Sequence, residues 1–392
     1  MKDPLNIVFF PHSVNYGLAG TNRLQNIIHY LRKEENITIS NIALEDKSKL
    51  FDKGSDKFIK EYAEVYYGPS VFNFITHIFI TIGWLHKFKK SGSGNLLYFY
   101  DYIDIKNFFF VLWARLIGYK VVVDVVEDRE TVKTFKSFFN KLKYKSSVYF
   151  LKNLSWFADG VIVISTHIED KIKLYCPKAP IFFLPVTYNT YLFQTKNGVK
   201  KADKPTVFYS GSFNDKDGLP FLLEALAKVK VTGKSFSFVL SGMGTPAEME
   251  LFWSSVKKFN LADEVDYRGF LSRADYMKVL TEESDILCVT RVNSAFANAG
   301  FPFKLGEFLA TGKPVIVSKV GDIQKYLSTD QAYLIEPGQT QSIAEALMNI
   351  LNDREEANRR GINGKAVALH HFGHDNYATP LVKFFNKQFN HA

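Results

Sequence analysis

Short apolar runs alternate with longer segments of helical periodicity through the first half of the chain. Strands are predicted at residues 6–10, 37–44, 95–100, 120–126 and 160–165. The last two runs are rich in Val and Ile, as expected of strands that are buried on both faces of a parallel sheet. Between the first two strands, residues 21–32 place Leu24, Ile27 and Leu31 on one helical face. Strands separated by helices predict a doubly wound α/β sheet.

The same pattern begins again after a stretch rich in proline and polar residues. This stretch, residues 177–204, predicts a domain boundary. Further strands are predicted at residues 206–209, 236–240, 315–317 and 332–335, and a helix at 341–351 completes the second domain. A chain of 392 residues is long enough for two such domains. Ligands of doubly wound sheets bind beyond the carboxyl ends of the strands, so the loops at those ends are the candidate sites.

Composition narrows the classes of partner. The net charge is +9 and the pI is near 9.1, which indicates an anionic partner: an anionic bilayer, a phosphorylated substrate or a nucleic acid. No nucleic-acid-binding motif accompanies this charge, so no nucleic-acid partner is expected. The two cysteines, Cys176 and Cys288, are far apart, which argues against a disulfide framework or a zinc site and fits a reducing cytoplasm. Neither a signal peptide nor a run of about 18 apolar residues is recognised.

Residues 301–316 combine a turn, a short helix and a buried strand. The turn through residues 302–306 is expected to bring Lys304 to the start of a helix at 307–310, which Gly312 and Pro314 end. Backbone amides and a cation at a helix N-terminus suit a diphosphate. The carboxylate of Glu307 can accept hydrogen bonds from both hydroxyls of a ribose. The segment predicts a nucleoside diphosphate site; the alternative is an ordinary helix–turn–strand with solvated Lys304 and Glu307.

The sequence KLGEFLATGKPVI resembles the signature segment of retaining GT-B glycosyltransferases of the GT4 type (glycosyl transferases group 1). The resemblance implies that Glu307 binds the donor ribose and that Lys304 and nearby amides hold the diphosphate, with Phe303 and Leu305 in the same donor site. The fuller motif of the family has a second glutamate eight positions earlier, where this chain has Ala299. In this respect the chain resembles the subset of the family with the pattern Pro-x-Lys-x-x-Glu.

The loop after the strand at 206–209 departs from the family. Gly211 is present, but Ser212 stands where the family has Arg and Asp217 where it has Lys. Lys216, one position early, either compensates or is a solvated loop lysine. Arg291, in the loop 291–300 that is expected to lie across the donor sugar, is a further candidate cation. The remaining donor-side candidates are turn residues for close nucleotide approach and residues expected against the base: Gly242, Gly244, Gly269 and Phe270.

Three loops of the first half are acceptor-side candidates. The first contains Gly17, Gly20 and Asn22, where the glycines allow close backbone approach to a ligand. The second is the segment 127–129, whose Glu127 and Asp128 could orient an acceptor hydroxyl or act as general base, with Arg129 on an acceptor phosphate. An equally weighted interpretation is a helix N-terminus with acids that match its dipole. The third loop contains His167, which follows Ser165, an expected N-cap.

Residues 131–157 contain six lysines interleaved with aromatic and aliphatic residues, and no acidic residue. A basic amphipathic helix is typical of binding to an anionic membrane surface. The alternative is a core helix with a solvated basic face.

The predicted fold class is therefore α/β GT-B, with two Rossmann-like doubly wound domains facing each other across a cleft. The domains are an N-terminal acceptor-binding domain at 1–190, a linker at 191–204, a donor-binding domain at 205–371 and a segment at 372–392 that crosses back to the N-terminal domain. The resemblance implies a transferase with a nucleotide sugar as donor and a lipid-linked or oligosaccharide acceptor, as in the synthesis of bacterial surface polysaccharide.

Retention of configuration is expected, with no metal ion and no cofactor. A cytoplasmic location is expected, including peripheral attachment at the inner face of the cytoplasmic membrane. Two alternatives stay open: a nucleotide-sugar epimerase of the same fold and a non-catalytic nucleotide-sugar-binding protein.

Overall fold

The computed structural model describes residues 4–10, 19–45, 63–67, 73–131, 137–193 and 204–389. The chain divides into two compact units. The N-terminal unit comprises Met1–Thr187 together with His374–Ala392, and the C-terminal unit comprises Tyr188–Gly373. The last segment of the chain is thus part of the N-terminal unit.

The N-terminal unit is built on a parallel sheet with the order β3-β2-β1-β4-β5-β6-β7, which has seven strands in the described residues. The strands are β1 Leu5–Phe10, β2 Ile37–Glu45, β3 Ala63–Tyr67, β4 Gly94–Tyr100, β5 Lys120–Val125, β6 Gly160–Val163 and β7 Ile181–Phe183. The helices are α1 Ala19–Leu31, α2 Asn73–Phe88, α3 Ile105–Leu116, α4 Phe138–Lys152 and α5 Thr166–Tyr175, and a three-residue 3-10 turn spans Arg129–Thr131.

One core of this unit lies between the sheet, α1 and the end of the chain. Every residue of β1 is buried, and the predicted apolar face of α1 packs in the same cluster. The final helix, Ala378–Lys387, buries Leu381 and Phe385 there. At Gly160 a Cβ atom would lie 2.7 Å from the ring of Phe384, so a larger residue at the start of β6 would displace that ring.

The C-terminal unit is built on a second parallel sheet, with six strands in the described residues and the order β10-β9-β8-β11-β12-β13. The strands are β8 Thr206–Ser210, β9 Ser237–Ser241, β10 Val265–Tyr267, β11 Ile286–Val289, β12 Val315–Ser318 and β13 Tyr333–Ile335. The helices are α6 Leu219–Val231, α7 Pro246–Lys258, α8 Arg273–Lys278, α9 Ala295–Ala299, α10 Leu305–Ala310, α11 Ile323–Tyr326, α12 Thr340–Asn352 and α13 Arg354–His371; α14 is the final helix, Ala378–Lys387. A π-helical turn, Val279–Glu283, continues α8.

The predicted α/β class and the strands listed from hydrophobic pattern are confirmed within a residue or two at most ends. Two expectations are wrong: the predicted loop 291–300 contains α9, and the helix α1 begins at Ala19, so that Gly20 is helical. The division between the two units, after Thr187, falls inside the predicted boundary stretch, which also contains β7, a strand that was not predicted. The short, apolar β7 lies between Pro180 and Pro185, and those two prolines suggested a linker.

No helix was predicted between residue 351 and the expected end of the second domain at residue 371, whereas α13 occupies this part with 18 residues. This helix is largely polar and contains Gly361 and Gly364, a composition that resembles a loop. The structure shows the reason for both glycines. A Cβ atom would lie 2.2 Å from the Gly312 carbonyl oxygen at Gly361 and 2.7 Å from the Gln331 carbonyl oxygen at Gly364. The glycines therefore allow α13 to pack directly on the backbone after α10.

Within the residues that the structure describes, no helix is long and apolar enough to cross a membrane.

Candidate functional site

Three glycine turns meet at the carboxyl ends of β8, β9 and β10. The amide of Gly211 donates to the Ser241 carbonyl at 3.0 Å, and the amide of Gly242 donates to the Gly269 carbonyl at 2.9 Å. Gly242 has a φ of 141°, and a Cβ atom there would lie 1.8 Å from the Gly211 carbonyl oxygen. The structure thus brings together turns that the sequence predicted separately, at the edge where doubly wound sheets bind ligands. Gly244 and the exposed Phe270 follow the second and third turns.

The signature segment forms α10 and β12, with Lys304 as the residue before the helix. The helix begins at Leu305, so Gly306 lies in its first turn and does not belong to the preceding turn as expected. A side chain at Gly306 would contact Phe372, since its Cβ would lie 3.3 Å from the Phe372 Cβ. Phe303 is half-buried and Leu305 is buried. The local pattern predicted here is confirmed, with the helix two residues longer at its start.

Glu307 is only 7% exposed and makes two polar contacts. One carboxylate oxygen lies 2.6 Å from the Arg273 guanidinium, and the other accepts a hydrogen bond of 3.0 Å from the Tyr276 hydroxyl. The alternative of a solvated glutamate is therefore wrong. Sequence reasoning missed both partners. The Ser-x-x-Asp pattern of residues 272–275 marks the start of α8, but nothing local indicates that this helix faces a residue on α10.

Lys304 points back to the end of β8. Its Nζ donates a 2.6 Å hydrogen bond to the Ser210 hydroxyl, which in turn lies 3.0 Å from the Ser241 hydroxyl. Burial lowers the pKa of Lys304 to about 8, although Glu307 and Asp217 oppose that shift. Lys304 is thus a partly desolvated cation beside the glycine turns, and the alternative of a solvated lysine is wrong here as well.

The loop after β8 is locked against the residues that follow β11. At Gly218, with a φ of 69°, a Cβ atom would lie 1.9 Å from the Thr290 carbonyl oxygen. The amide of Val292 donates to the Lys216 carbonyl at 3.0 Å. This close approach places Asp217 beside Arg291.

Asp217 and Ser212, which stand where the family has cations, bond to each other through the Ser212 hydroxyl. The Arg291 Nε lies 3.7 Å from an Asp217 carboxylate oxygen, and burial lowers the pKa of this arginine. Lys216 is half-buried, with its Nζ 4.4 Å from the centre of the Phe296 ring. Lys216 therefore packs against the protein and is not a solvated loop lysine.

In the N-terminal unit, Asp128 and His167 meet at the ends of β5 and β6. The Asp128 carboxylate lies 2.8 Å from His167 Nε2 and 2.7 Å from Lys171 Nζ. Burial alone would raise the pKa of Asp128, but the hydrogen bonds from Lys171 and His167 hold it below its usual value. Ser165 caps α5, as predicted, by accepting from the Ile168 amide at 3.3 Å.

Arg129 lies in a second group of charges. It bonds Asp101 at 2.5 Å and Glu127 at 3.1 Å, and its guanidinium lies 3.6 Å from the centre of the Tyr102 ring. Burial raises the pKa of Asp101 to about 7 although Arg129 opposes the shift. The segment forms a three-residue 3-10 turn. Because Asp101 and Glu127 already pair with Arg129, an acceptor phosphate at Arg129 would compete with two carboxylates.

Of the candidates in the first acceptor-side loop, Gly20 and Asn22 lie in α1, and Gly17 lies outside the described residues. At Gly20 a Cβ atom would lie 2.7 Å from the Tyr100 hydroxyl. Sequence reasoning missed the next residue, the fully buried Arg23. Its guanidinium bonds the Asp124 carboxylate at 2.8 Å and the Pro185 carbonyl at 2.8 Å.

Residues 132–136 of the basic segment 131–157, which include Lys133 and Lys136, lie outside the described residues. Helix α4 buries Ser147 and Leu151, while Phe138 and Phe139 are 74% and 80% exposed. It packs on α3 through a stacked pair of rings, Phe108 and Phe150, whose centres are 4.6 Å apart. The neighbouring helix adds exposed apolar side chains: Phe109, Leu112, Trp113 and Leu116.

Residues 193–367 match the family described as Glycosyl transferases group 1. This segment is similar to that family. It contains every donor-side candidate discussed above, and its start and end fall close to the bounds of the C-terminal unit.

Curated relatives of this chain include proteins named as glycosyltransferases. The chain is 23% identical over 177 residues to the Escherichia coli K12 protein named "Putative colanic acid biosynthesis glycosyltransferase WcaL", a match that covers 45% of this chain and 43% of the relative. The chain thus spans less than half the length of this curated relative.

Two solved structures share the fold of the whole chain. Sucrose-phosphate synthase from Thermosynechococcus elongatus superposes with a TM-score of 0.77 at 17% identity, covering 99% of this chain and all of that one. HepE from Anabaena, solved with UDP and glucose, gives a TM-score of 0.75 at 15% identity, covering 98% and 100%. The predicted GT-B class, with two Rossmann-like units, is confirmed.

Proposed function

We propose that the chain is a retaining glycosyltransferase that moves a sugar from a nucleoside diphosphate sugar to a hydroxyl of a lipid-linked or oligosaccharide acceptor. The observation that carries this proposal is the pair formed by the buried Glu307 and the half-buried Lys304, within the residues that match the group 1 family. Their side chains reach two sides of one site, since Lys304 bonds the end of β8 and Glu307 bonds α8. The relative named for colanic acid biosynthesis supports a role in bacterial surface polysaccharide.

The proposed donor lies along the glycine turns. Its ribose hydroxyls donate to Glu307, its diphosphate accepts from Lys304 and Arg291, and its base lies against Gly269 and Phe270. A partly desolvated cation attracts a diphosphate strongly, because water screens the interaction less than at the surface. A uridine nucleotide is the first candidate, since the HepE structure contains UDP.

The proposed reaction needs no metal ion and no cofactor. The bond between sugar C1 and the diphosphate oxygen breaks, and the acceptor oxygen forms its bond to C1 on the same face. The acceptor proton passes to the departing phosphate. Lys304 and Arg291 stabilise the negative charge that develops on that phosphate, which is where most of the barrier is lowered. Glu127 and Asp128 are proposed to orient the acceptor hydroxyl.

A thermal-shift screen against UDP, GDP, TDP and CMP tests the donor site first. A nucleotide present at 100 times its dissociation constant should stabilise the protein by about 2.7 kcal/mol. We expect a shift with a nucleoside diphosphate that is the same with magnesium and with EDTA. No shift with any nucleotide would contradict the proposal. A shift that is accompanied by neither hydrolysis of the sugar nucleotide nor sugar transfer would indicate a non-catalytic nucleotide-sugar binder. Retention of configuration is tested separately, by NMR of the anomeric proton of the transferred sugar.

We further propose that the transferase acts at the inner face of the cytoplasmic membrane through the segment 131–157. The exposed rings of Phe138 and Phe139 and the exposed Lys141 and Lys145 share helix α4. The exposed apolar residues of α3 extend this surface. Rings that enter the headgroup region and lysines that approach anionic lipids would act together.

Sedimentation with vesicles tests the membrane proposal. Vesicles of phosphatidylcholine with phosphatidylglycerol should bind the protein, and neutralising Lys141 and Lys145 should weaken binding by about 1 kcal/mol per lysine. The matched control neutralises Lys257 and Lys258 on α7 and should leave binding unchanged. Equal losses in the two double variants would contradict a specific surface.

A further inference from the structure

Among the residues that the structure describes, each of the two carboxylate oxygens of Glu307 has one protein partner. Arg273 contacts one oxygen at 2.6 Å, and the Tyr276 hydroxyl donates to the other at 3.0 Å. An ionised carboxylate has about four lone-pair sites, two on each oxygen. The two contacts therefore hold the carboxylate at both ends and leave each oxygen able to accept one more hydrogen bond.

Tyr276 also contacts the cation of the same site. Lys304 Nζ lies 5.7 Å from the centre of the Tyr276 ring, while the hydroxyl of that ring bonds Glu307. The centre of the Tyr276 ring also lies 6.1 Å from that of Phe208 in β8. Tyr276 is buried, and its position is set by contacts with both functional side chains. One side chain thus couples the position of Lys304 to that of Glu307.

The segment that carries Arg273 and Tyr276 is fixed to the end of α10 by a buried lysine. Lys313, three residues after α10, is 6% exposed and donates from Nζ to the carbonyls of Leu280 and Thr281 at 2.8 and 2.9 Å. Both carbonyls belong to the π-helical turn that continues α8. A π turn leaves backbone carbonyls without their usual helical partners and is frequent at functional sites. Here it holds α8 against the helix that carries Glu307.

We propose that Tyr276 and Arg273 are positioning residues for the donor ribose. They hold the Glu307 carboxylate in one orientation, so that its two remaining acceptor sites receive the 2′ and 3′ hydroxyls together. Neither residue contacts the reacting atoms. The inference rests on the proposed function, because it requires that Glu307 binds a ribose.

The competing account is that Arg273 blocks Glu307 and must leave before a donor binds. The two accounts predict opposite effects of removing the arginine. A positioning role predicts weaker ribonucleotide binding in Arg273→Gln, whereas a blocking role predicts tighter binding.

Calorimetric titration with UDP, GDP and ADP, each beside its 2′,3′-dideoxy counterpart, tests the proposal. In the unsubstituted protein the ribonucleotide that binds should do so about a hundredfold more tightly than its dideoxy form, since two hydrogen bonds to a charged acceptor are lost. Tyr276→Phe keeps the ring and removes one hydroxyl. It should weaken the ribonucleotide about tenfold and leave the dideoxy form unchanged, and Arg273→Gln should act in the same direction.

The controls are Tyr333→Phe and Arg359→Gln, which change a buried tyrosine on β13 and an exposed arginine on α13 in the same unit. Both should keep the full preference for ribose. Equal losses for the ribonucleotide and the dideoxy form in Tyr276→Phe would show a general structural effect and overturn the inference, as would tighter binding in Arg273→Gln. Failure of the proposed function is distinguishable, because the unsubstituted protein would then show no preference for ribose or bind none of the nucleotides.

Discussion

The N-terminal and C-terminal units both bury charged side chains near the carboxyl ends of their strands, but they neutralise them to different degrees. In the N-terminal unit Arg23 forms a two-bond pair with Asp124 and also donates to the carbonyls of Leu184 and Pro185. In the C-terminal unit Lys304 bonds a neutral hydroxyl, and Arg291 is 3.7 Å from its carboxylate. Full compensation is typical of a structural ion pair, whereas partial compensation suits a site that receives an anion.

The first prediction concerns the compensated pair and has the largest expected effect. Asp124→Ala leaves the Arg23 guanidinium buried without its charge partner, which should cost about 3–5 kcal/mol of folding free energy. Urea unfolding measures this loss, and Glu169→Gln, which breaks a surface pair with Lys173, should cost less than about 1 kcal/mol. Nucleotide affinity should be unchanged in Asp124→Ala at urea-free conditions where it stays folded. A loss as small as that of the control would show that the pair is not structurally important.

Glu307→Ala is the second prediction and tests the proposed ribose site of the C-terminal unit. It should weaken ribonucleotide binding by about 2–4 kcal/mol, because the ribose hydroxyls lose a charged acceptor and the site keeps buried donors without a partner. Titration calorimetry measures the change, and Glu336→Ala, which removes a surface partner of Lys319, is the control. Affinity that matches that of the control would end the assignment of Glu307 to the ribose.

The features behind these two predictions were predictable from the sequence to different degrees. The turn, helix and strand of residues 301–316 were predictable because Gly312, with a φ of 78°, and Pro314 act on their immediate neighbours. The Arg23–Asp124 pair joins residues 101 positions apart, and Tyr276 bonds Glu307 across 31 positions. Such pairs depend on which strands and helices are neighbours, which hydrophobic periodicity does not encode.

The same limit explains the errors in the fold. Helix α13 has a polar sequence with internal glycines, and its stability comes from packing on the backbone of a distant segment, so its own periodicity gives little signal. Strand β7 has three residues, too few for a period of two to be recognised. The donor-side turns were predictable one by one from glycine positions, while their hydrogen bonding to one another is a property of the sheet.

The third prediction tests whether Lys304 is the cation that holds the diphosphate in the donor site. Lys304 must be protonated to hold a diphosphate, and burial lowers its pKa to about 8. Donor affinity should therefore be constant below about pH 7 and fall as pH rises through 8, by at most tenfold per unit. Titrations at pH 7, 8 and 9 measure this slope. Lys304→Arg, whose charge does not titrate in this range, is the control for titration of the nucleotide itself, and equal slopes in the two proteins would exclude Lys304 as the titrating group.

The smallest expected effect lies in the cluster of the N-terminal unit where Asp128 bonds His167 and Lys171. The pKa of Asp128 is lowered in the folded protein, so its stabilising contribution is complete above the unfolded value near 4 and is lost as pH falls through the folded value. Asp128→Asn should therefore cost about 1 kcal/mol at pH 7, since the partners are partly exposed, and progressively less below pH 4. Urea unfolding at pH 7, 5 and 3 measures the difference from the unsubstituted protein. A difference that does not change with pH would mean that the amide disrupts packing and that the charge of Asp128 stabilises nothing. If the difference in stability disappears at low pH, the Asp128 cluster is a structural ion pair like Arg23–Asp124. The contrast with the donor site then holds for both of these ion pairs of the N-terminal unit.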